Sequence, residues 1–100
     1  METTSLTEIY GFGSVEDMFT HFAIEACSGT LLFAEYDQQD YEGEAFVLFE
    51  RDGVLWEVNA AHCSCYGLEN QWEPTVCTPA SLKMRNFYGL PRAKEFVARM

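Results

Sequence analysis

The first regular pattern along the chain is an apolar stripe with helical spacing. Ser14 is a natural N-cap in front of the stripe, and Asp17, three residues later, completes a signal that resembles a capping box. Gly29 suits the left-handed position that follows a helix. The apolar positions themselves are Val15, Met18, Phe19, Phe22, Ala23 and Ala26. The pattern therefore predicts a helix over about residues 15–27, with this stripe against a core.

Three segments rich in strand-forming residues come next, over residues 30–37, 44–51 and 54–60. The last two flank Asp52-Gly53, a dipeptide that favours a tight hairpin because both turn residues readily adopt positive φ. Pairing outward from that turn predicts one core-facing set under the helix: Phe49 opposite Trp56, Val47 opposite Val58, and Ala45 opposite Ala60. The other face of the hairpin is half apolar, so we expect another element to cover part of it.

The rest of the chain adds a crossing segment and two helices. Residues 61–77 are expected to form an irregular crossing. Thr78 and Pro79 then suit the N-cap and first turn of a helix to about residue 88, and Pro91 begins a last short helix. This order predicts an α+β fold in one domain, residues 1–100: an antiparallel three-stranded sheet packed by an N-terminal helix, with two short C-terminal helices.

Composition agrees with a small globular protein. Its 100 residues, 48% of them hydrophobic, suffice for one packed core without help from a metal or a disulfide. No run approaches the roughly 20 apolar residues of a membrane helix. Residues 1–10 contain no lysine or arginine, unlike a secretory signal. We therefore expect a cytoplasmic protein that does not contact membranes, with cysteines that are thiols or metal ligands rather than disulfides.

Charge is unevenly distributed along the chain, and it limits the partners. Residues 1–78 carry a net charge of −14 and residues 79–100 carry +4, which gives −10 for the whole chain. Because the phosphates of nucleic acid are bound chiefly by lysine and arginine, the acidic part disfavours direct nucleic-acid binding. It favours a basic protein surface as the partner. The alternative is that the acidity only keeps the protein soluble.

Residues 35–44 contain the densest group of carboxylates, interleaved with two tyrosines. Tyrosine gives contact area at little entropic cost, and surrounding carboxylates would pair with arginine or lysine on a partner. The candidate partner-binding residues are Glu35, Tyr36, Asp37, Asp40, Tyr41, Glu42 and Glu44. The alternative for such a charged run is a solvated loop between strands.

The cysteines suggest two further kinds of site. Cys63, Cys65 and Cys77, with His62 as a fourth ligand, could hold zinc, although this spacing is weaker than paired C-x-x-C knuckles. Cys63 or Cys65 could alternatively act as a nucleophile with His21 or His62 as its base, but acidic surroundings disfavour a thiolate. The third possibility is that the cysteines are small buried hydrophobic residues that bind no cofactor.

The segment 46–74 resembles one found in small uncharacterised proteins of tailed phages and prophages. The similar parts are FERDG at residues 49–53, HCSCYG at 62–67 and QWEP at 71–74. The resemblance implies a phage accessory protein expressed in the cytoplasm of a bacterial host. Proteins of this class often bind and block a host protein, including defence enzymes that handle nucleic acid. Together with the charge, it predicts a non-enzymatic binding protein.

Overall fold

A five-stranded mixed sheet forms the centre of the computed structural model, which describes residues 8–27, 29–39, 42–63, 67–87 and 89–100. The elements in chain order are β1 (Glu8–Tyr10), α1 (Val15–Phe22), β2 (Thr30–Gln39), β3 (Glu42–Arg51), β4 (Val54–His62), β5 (Thr75–Cys77), α2 (Pro79–Lys83) and α3 (Pro91–Ala98). The strands lie side by side in the order β1-β2-β3-β4-β5.

The predicted antiparallel three-stranded sheet is therefore wrong in strand number and in strand direction. β1 lies parallel to β2, with Ile9 beside Ala34, and α1 makes the crossover that a parallel pair requires. β5 pairs antiparallel with β4 and places Cys77 opposite Leu55, inside the segment expected to be irregular. Each added strand has three residues. Three residues are too few to leave a readable alternation of apolar and polar side chains.

The β3–β4 hairpin has the predicted register. Phe49 lies opposite Trp56, and the pairing continues to Gly43 opposite His62. Both turn residues have positive φ, 56° at Asp52 and 76° at Gly53. The predicted pairs Val47–Val58 and Ala45–Ala60 are also formed, and all three pairs face α1.

Helices cover both faces of the sheet, so the molecule has three layers. On one face of the sheet, Met18 and Phe22 of α1 lie in the same core cluster as Phe49 of β3 and Val58 of β4. The opposite face packs against α2 and α3, which agrees with the expectation that another element covers the half-apolar face of the hairpin. The buried residues of this second cluster include Phe33, Phe46, Leu48, Leu82, Ala93 and Val97. A strand buried on both faces reads as a continuous apolar run, which explains residues 45–49.

The first helix ends earlier than predicted, at Phe22 rather than near residue 27. Ala23 adopts the left-handed conformation, with φ 59° and ψ 44°. Its N–H donates to the carbonyl of Thr20 at 3.1 Å, and the N–H of Ile24 donates to the carbonyl of Phe19 at 3.0 Å. These two bonds form a Schellman motif, which glycine normally closes. An alanine in the left-handed position gives no sequence signal, so the pattern overruns the end of the helix.

The C-terminal helices begin where the sequence predicts. Thr78 caps α2 by accepting a hydrogen bond from the N–H of Ser81 at 3.1 Å, and Pro91 occupies the first turn of α3. α2 ends at Lys83, short of the predicted end near residue 88. Within the described ranges no helix is long and apolar enough to cross a membrane, and the longest have eight residues.

A side chain, not a strand, covers part of the outer edge of β4. β5 pairs with β4 only from Leu55 to Glu57. Farther along this edge, Gln71 accepts a hydrogen bond from the backbone N–H of Ala61 at 3.0 Å. The amide nitrogen of Gln71 in turn donates to the carbonyl of Gly67 at 2.9 Å. Gln71 thus supplies the acceptor that a neighbouring strand would otherwise provide.

Candidate functional site

Two of the seven residues proposed for partner binding support the fold instead. Glu35 is buried, and its carboxylate accepts hydrogen bonds from the backbone N–H groups of Ala93 at 2.7 Å and Arg92 at 3.3 Å. It therefore stabilises the start of α3, whose N-cap residue Leu90 makes no side-chain cap. Burial raises the pKa of Glu35, while the two N–H donors oppose the rise. Because alternate residues point to opposite faces of a strand, Tyr36 lies on the α1 side, buried against Phe12.

Three of the proposed partner-binding residues are acidic, lie in the described ranges and are not buried: Asp37, Glu42 and Glu44. They line one groove. Asp37 and Glu44 lie directly opposite each other across β2 and β3, and Glu42 precedes Glu44 on the same strand. The acidic groove is lined by Asp37, Glu42, Gly43, Glu44, Ala61, His62 and Gly89, and its volume is about 320 Å³. None of these residues is a lysine or arginine. Asp40 and Tyr41, the remaining two candidates, lie outside the described residues.

His62 borders this groove, and its ring is held in a fixed orientation on the α1 side of the sheet, opposite to the side of Asp37 and Glu44. The Tyr36 hydroxyl and His62 Nε2 are 2.6 Å apart, and His62 Nδ1 is 3.0 Å from the carbonyl oxygen of Cys63. Because a carbonyl oxygen only accepts hydrogen bonds, the contact with Cys63 places a proton on Nδ1, and Nε2 shares the second bond with the Tyr36 hydroxyl. Burial raises the pKa of Tyr36, and the nearby carboxylate of Glu69 adds to the rise. The Tyr36 hydroxyl therefore keeps its proton at neutral pH.

Gly43 makes room for this pair. Its register position is opposite His62, and a Cβ there would stand 2.6 Å from His62 Nε2 and 2.8 Å from Tyr36 Cε1. Any larger residue would push the two rings apart. Neither Gly43 nor the Tyr36–His62 bond was identified from the sequence, because the two rings come from strands 26 positions apart in the chain. The strand register, once known, would have pointed to both.

The four proposed zinc ligands do not come together. Cys77 is opposite Leu55 near one end of β4, while His62 ends that strand. At about 3.3 Å per residue, the separation along β4 is roughly 23 Å, far beyond the reach of one ion. Cys63 is exposed beside His62, and Cys65 lies outside the described residues. Among the described residues, no group of three or more His, Cys, Asp or Glu side chains is placed to hold a metal ion.

The thiols differ in their surroundings. Cys77 is buried, and burial, with Glu57 nearby, raises its pKa to about 11. Burial also raises the pKa of Cys27. Both are therefore thiols at neutral pH and poor nucleophiles. Of the proposed bases, His21 contacts Asp17 at 3.5 Å and packs on the Phe12 ring, while Nε2 of His62 is taken up by Tyr36.

The arginines of the basic C-terminal segment fold against the body. Arg85 pairs with Glu57, and Arg99 pairs with Glu8 at 3.1 Å. The guanidinium carbon of Arg92 lies 4.9 Å from the centre of the Tyr10 ring. These contacts neutralise Glu57 and Glu8 but leave the acidic groove without an arginine or lysine in its lining.

Comparison with known proteins gives no further guide to the site. No protein-family model, curated protein or solved structure matches the chain. The function is therefore inferred from the site itself.

Proposed function

We propose that this chain is a non-enzymatic phage-type accessory protein that binds a basic surface of a host protein through the acidic groove. By covering that surface it competes with nucleic acid for a defence enzyme in the bacterial cytoplasm. The observation that carries the proposal is the set of three carboxylates of Asp37, Glu42 and Glu44 in one groove. Three carboxylates in one groove complement the positive charge of arginine and lysine on a nucleic-acid-binding surface.

The arrangement of the groove works against stability. Like charges directly opposite each other across an antiparallel pair destabilise a sheet, and Asp37 and Glu44 are such a pair. Proteins tend to keep locally unfavourable choices at functional sites. If the carboxylates served only the solubility of the protein, one carboxylate opposite a neutral residue would suffice at this pair.

The edge of the groove that His62 forms is rigid. His62 is held from both ring nitrogens, and Gly43 lets Tyr36 reach it. A partner that reaches this edge therefore meets a side chain that is already ordered, which lowers the entropy lost on binding. His62 belongs to the HCSCYG part of the resemblance to phage proteins and also borders the groove. Both observations therefore point to the same part of the molecule as the binding site.

The test is affinity capture from a bacterial lysate with identification by mass spectrometry, using three baits. The first is the wild-type protein, the second carries Glu42→Lys and Glu44→Lys, and the control carries Glu50→Lys and Glu73→Lys. Both variants change the net charge by the same amount, and all four positions are exposed. We expect a nucleic-acid-binding protein captured by the wild type and the control and lost with the groove variant or at high salt.

The identified protein is then tested for DNA and RNA binding in the presence of each bait. Inhibition by the wild type and control, but not by the groove variant, supports competition. Capture that is equal for all three baits, or that is unchanged between low and high salt, would rule the proposal out.

A further inference from the structure

A second surface lies between the two C-terminal helices and carries the opposite charge. The α2–α3 groove, about 300 Å³ in volume, is lined by Leu82, Lys83, Arg85, Phe87, Lys94, Val97 and Ala98. It shares no residue with the acidic groove. Its floor is apolar, since Leu82, Phe87 and Val97 are the buried side chains of this layer. Lys83 and Lys94, both exposed, are the two lysines of its lining.

The two lysines differ from every arginine of the chain. Each arginine has an internal contact: Arg51 stacks on Trp56, Arg85 pairs with Glu57, Arg92 lies over Tyr10, and Arg99 pairs with Glu8. Among the described residues, Lys83 and Lys94 have no ion pair, hydrogen bond or ring contact of their side chains. The fold therefore uses its arginines internally and leaves both lysines at one groove.

A large apolar residue is also exposed next to the groove residue Lys83 in the chain. Met84 follows Lys83 directly and is 88% exposed, the largest exposed fraction among the exposed large hydrophobic residues. Methionine adapts its shape to different partners and is enriched where proteins meet. An apolar floor, two exposed lysines and an exposed methionine together describe a site for a segment that is both apolar and negatively charged.

We infer that the α2–α3 groove binds a short acidic segment of another protein, whose apolar side chains contact the floor and whose carboxylates pair with Lys83 and Lys94. Charge complementarity identifies the occupant. A second copy of this chain is a poor fit, because its own acidic groove offers carboxylates but no large apolar side chain. The two copies would also repel each other, since each has a net charge of −10.

The test is selection of a random library of 12-residue peptides on the immobilised wild-type protein at about 0.15 M salt, where charges farther than about 8 Å apart are screened. Enriched peptides are synthesised with a fluorescent label and measured by anisotropy. We expect one enriched class that combines Asp or Glu with Leu, Ile, Phe or Trp. Methyl signals of Leu82, Val97 and Ala98 should shift when such a peptide is added, because these residues line the groove.

Two matched variants assign the site. Lys83→Gln with Lys94→Gln removes two positive charges, and Thr20→Glu with Gln38→Glu adds two negative charges at exposed positions elsewhere. The lysine variant should weaken the acidic-apolar peptides about tenfold, and the control less than about twofold. A basic class of peptides lost with Glu42→Lys and Glu44→Lys would instead report on the acidic groove, so the two proposals fail independently.

Several results would overturn the inference. These are the absence of an acidic-apolar class, a class that binds the lysine variant as tightly as the wild type, and methyl shifts confined to other parts of the protein. Self-association in sedimentation that is lost with the lysine variant would assign the groove to a second copy. Lysine-dependent cosedimentation with vesicles containing phosphatidylserine, without peptide binding, would assign it to a lipid surface.

Discussion

Glu35 on β2 and Ala93 on α3 are joined by a buried hydrogen bond of 2.7 Å, from the backbone N–H of Ala93 to Oε1 of Glu35. The bond joins positions 58 residues apart in the chain. It places the negative end of a side chain at the positive end of a helix, where carboxylates are favoured. Glu35 therefore connects the central sheet to the last helix, and its charge state affects folding.

Glu35→Gln removes the charge of Glu35 but keeps one acceptor oxygen, which suffices for the shorter bond from Ala93. The pKa of Glu35 is raised above its ordinary value of 4.5, so the folded state binds this proton more readily than the unfolded state. The stability from this group is fully present below about pH 4.5 and is lost as the pH rises through the raised value. We expect Glu35→Gln at pH 7 to unfold with a free energy equal to or above that of the wild type.

Glu35→Ala is the contrasting variant. It leaves two N–H groups of α3 without their acceptor and should lower the unfolding free energy by about 1–3 kcal/mol. Urea denaturation of all three proteins between pH 4 and 8 measures both effects. A Gln variant as unstable as the Ala variant at pH 7, or a constant difference between Gln variant and wild type across this range, would contradict the prediction.

Ala23→Gly should stabilise the protein. Ala23 has φ 59°, a conformation in which a Cβ is unfavourable and glycine is not. Against this gain stands the larger entropy of glycine in the unfolded chain, so we expect a net increase of about 0.5–1 kcal/mol in unfolding free energy. Thr20→Gly, within the same helix, is the control and should destabilise by about 1 kcal/mol or less. Thermal melting distinguishes them, and a lower melting temperature for Ala23→Gly would count against the Schellman motif.

Tyr36→Phe tests the orientation of His62. The variant removes the hydroxyl 2.6 Å from His62 Nε2 and should lower the unfolding free energy by about 0.5–1.5 kcal/mol. The nitrogen chemical shifts of the His62 ring should change at the same time, because Nε2 loses its hydrogen-bond partner. Tyr10→Phe is a matched control, since the Tyr10 hydroxyl donates to Glu8 at 3.0 Å on a less buried surface. Unchanged His62 shifts in Tyr36→Phe would show that this bond is absent in solution.

Cys77 should be the slowest of the described cysteines to react with iodoacetamide at pH 7.5. A pKa of about 11, against an ordinary value of 9.0, reduces its thiolate about 100-fold. Cys63 is exposed, so its alkylation should be the fastest. Peptide mass spectrometry after timed quenching gives the three rates, and denatured protein provides the control in which burial is removed. Labelling of Cys77 as fast as that of Cys63 in the folded protein would be inconsistent with its buried position.

The elements that the sequence predicts well are those set by local physics. Asp52-Gly53 determines the hairpin turn, and the turn determines the pairing from Phe49 to Ala60, because each strand residue fixes the position of the next. Thr78 and Pro79 determine the start of α2 in the same local way. Such features need no knowledge of the rest of the fold.

The missed features depend on distant parts of the chain. Glu35 reads as one more acid in a charged run, and only the position of α3 shows that it is a buried cap. The separation of Cys77 from His62 follows from β5, whose three residues carry no recognisable pattern. The sequence singles out Asp37, Glu42 and Glu44, which line the acidic groove, but it suggests His62 only as a zinc ligand or a base, because the contact with Tyr36 depends on the pairing between strands.

The hydrogen bond from Ala61 to Gln71 has a consequence for how the protein behaves at high concentration. A strand edge with unpaired N–H and C=O groups can pair with the same edge of another molecule, and such pairing seeds aggregation. The central strands carry the apolar runs that make such aggregates stable. With its side-chain amide in place, Gln71 occupies the position that an incoming chain would need, and so helps to keep separate molecules from joining into one continuous sheet.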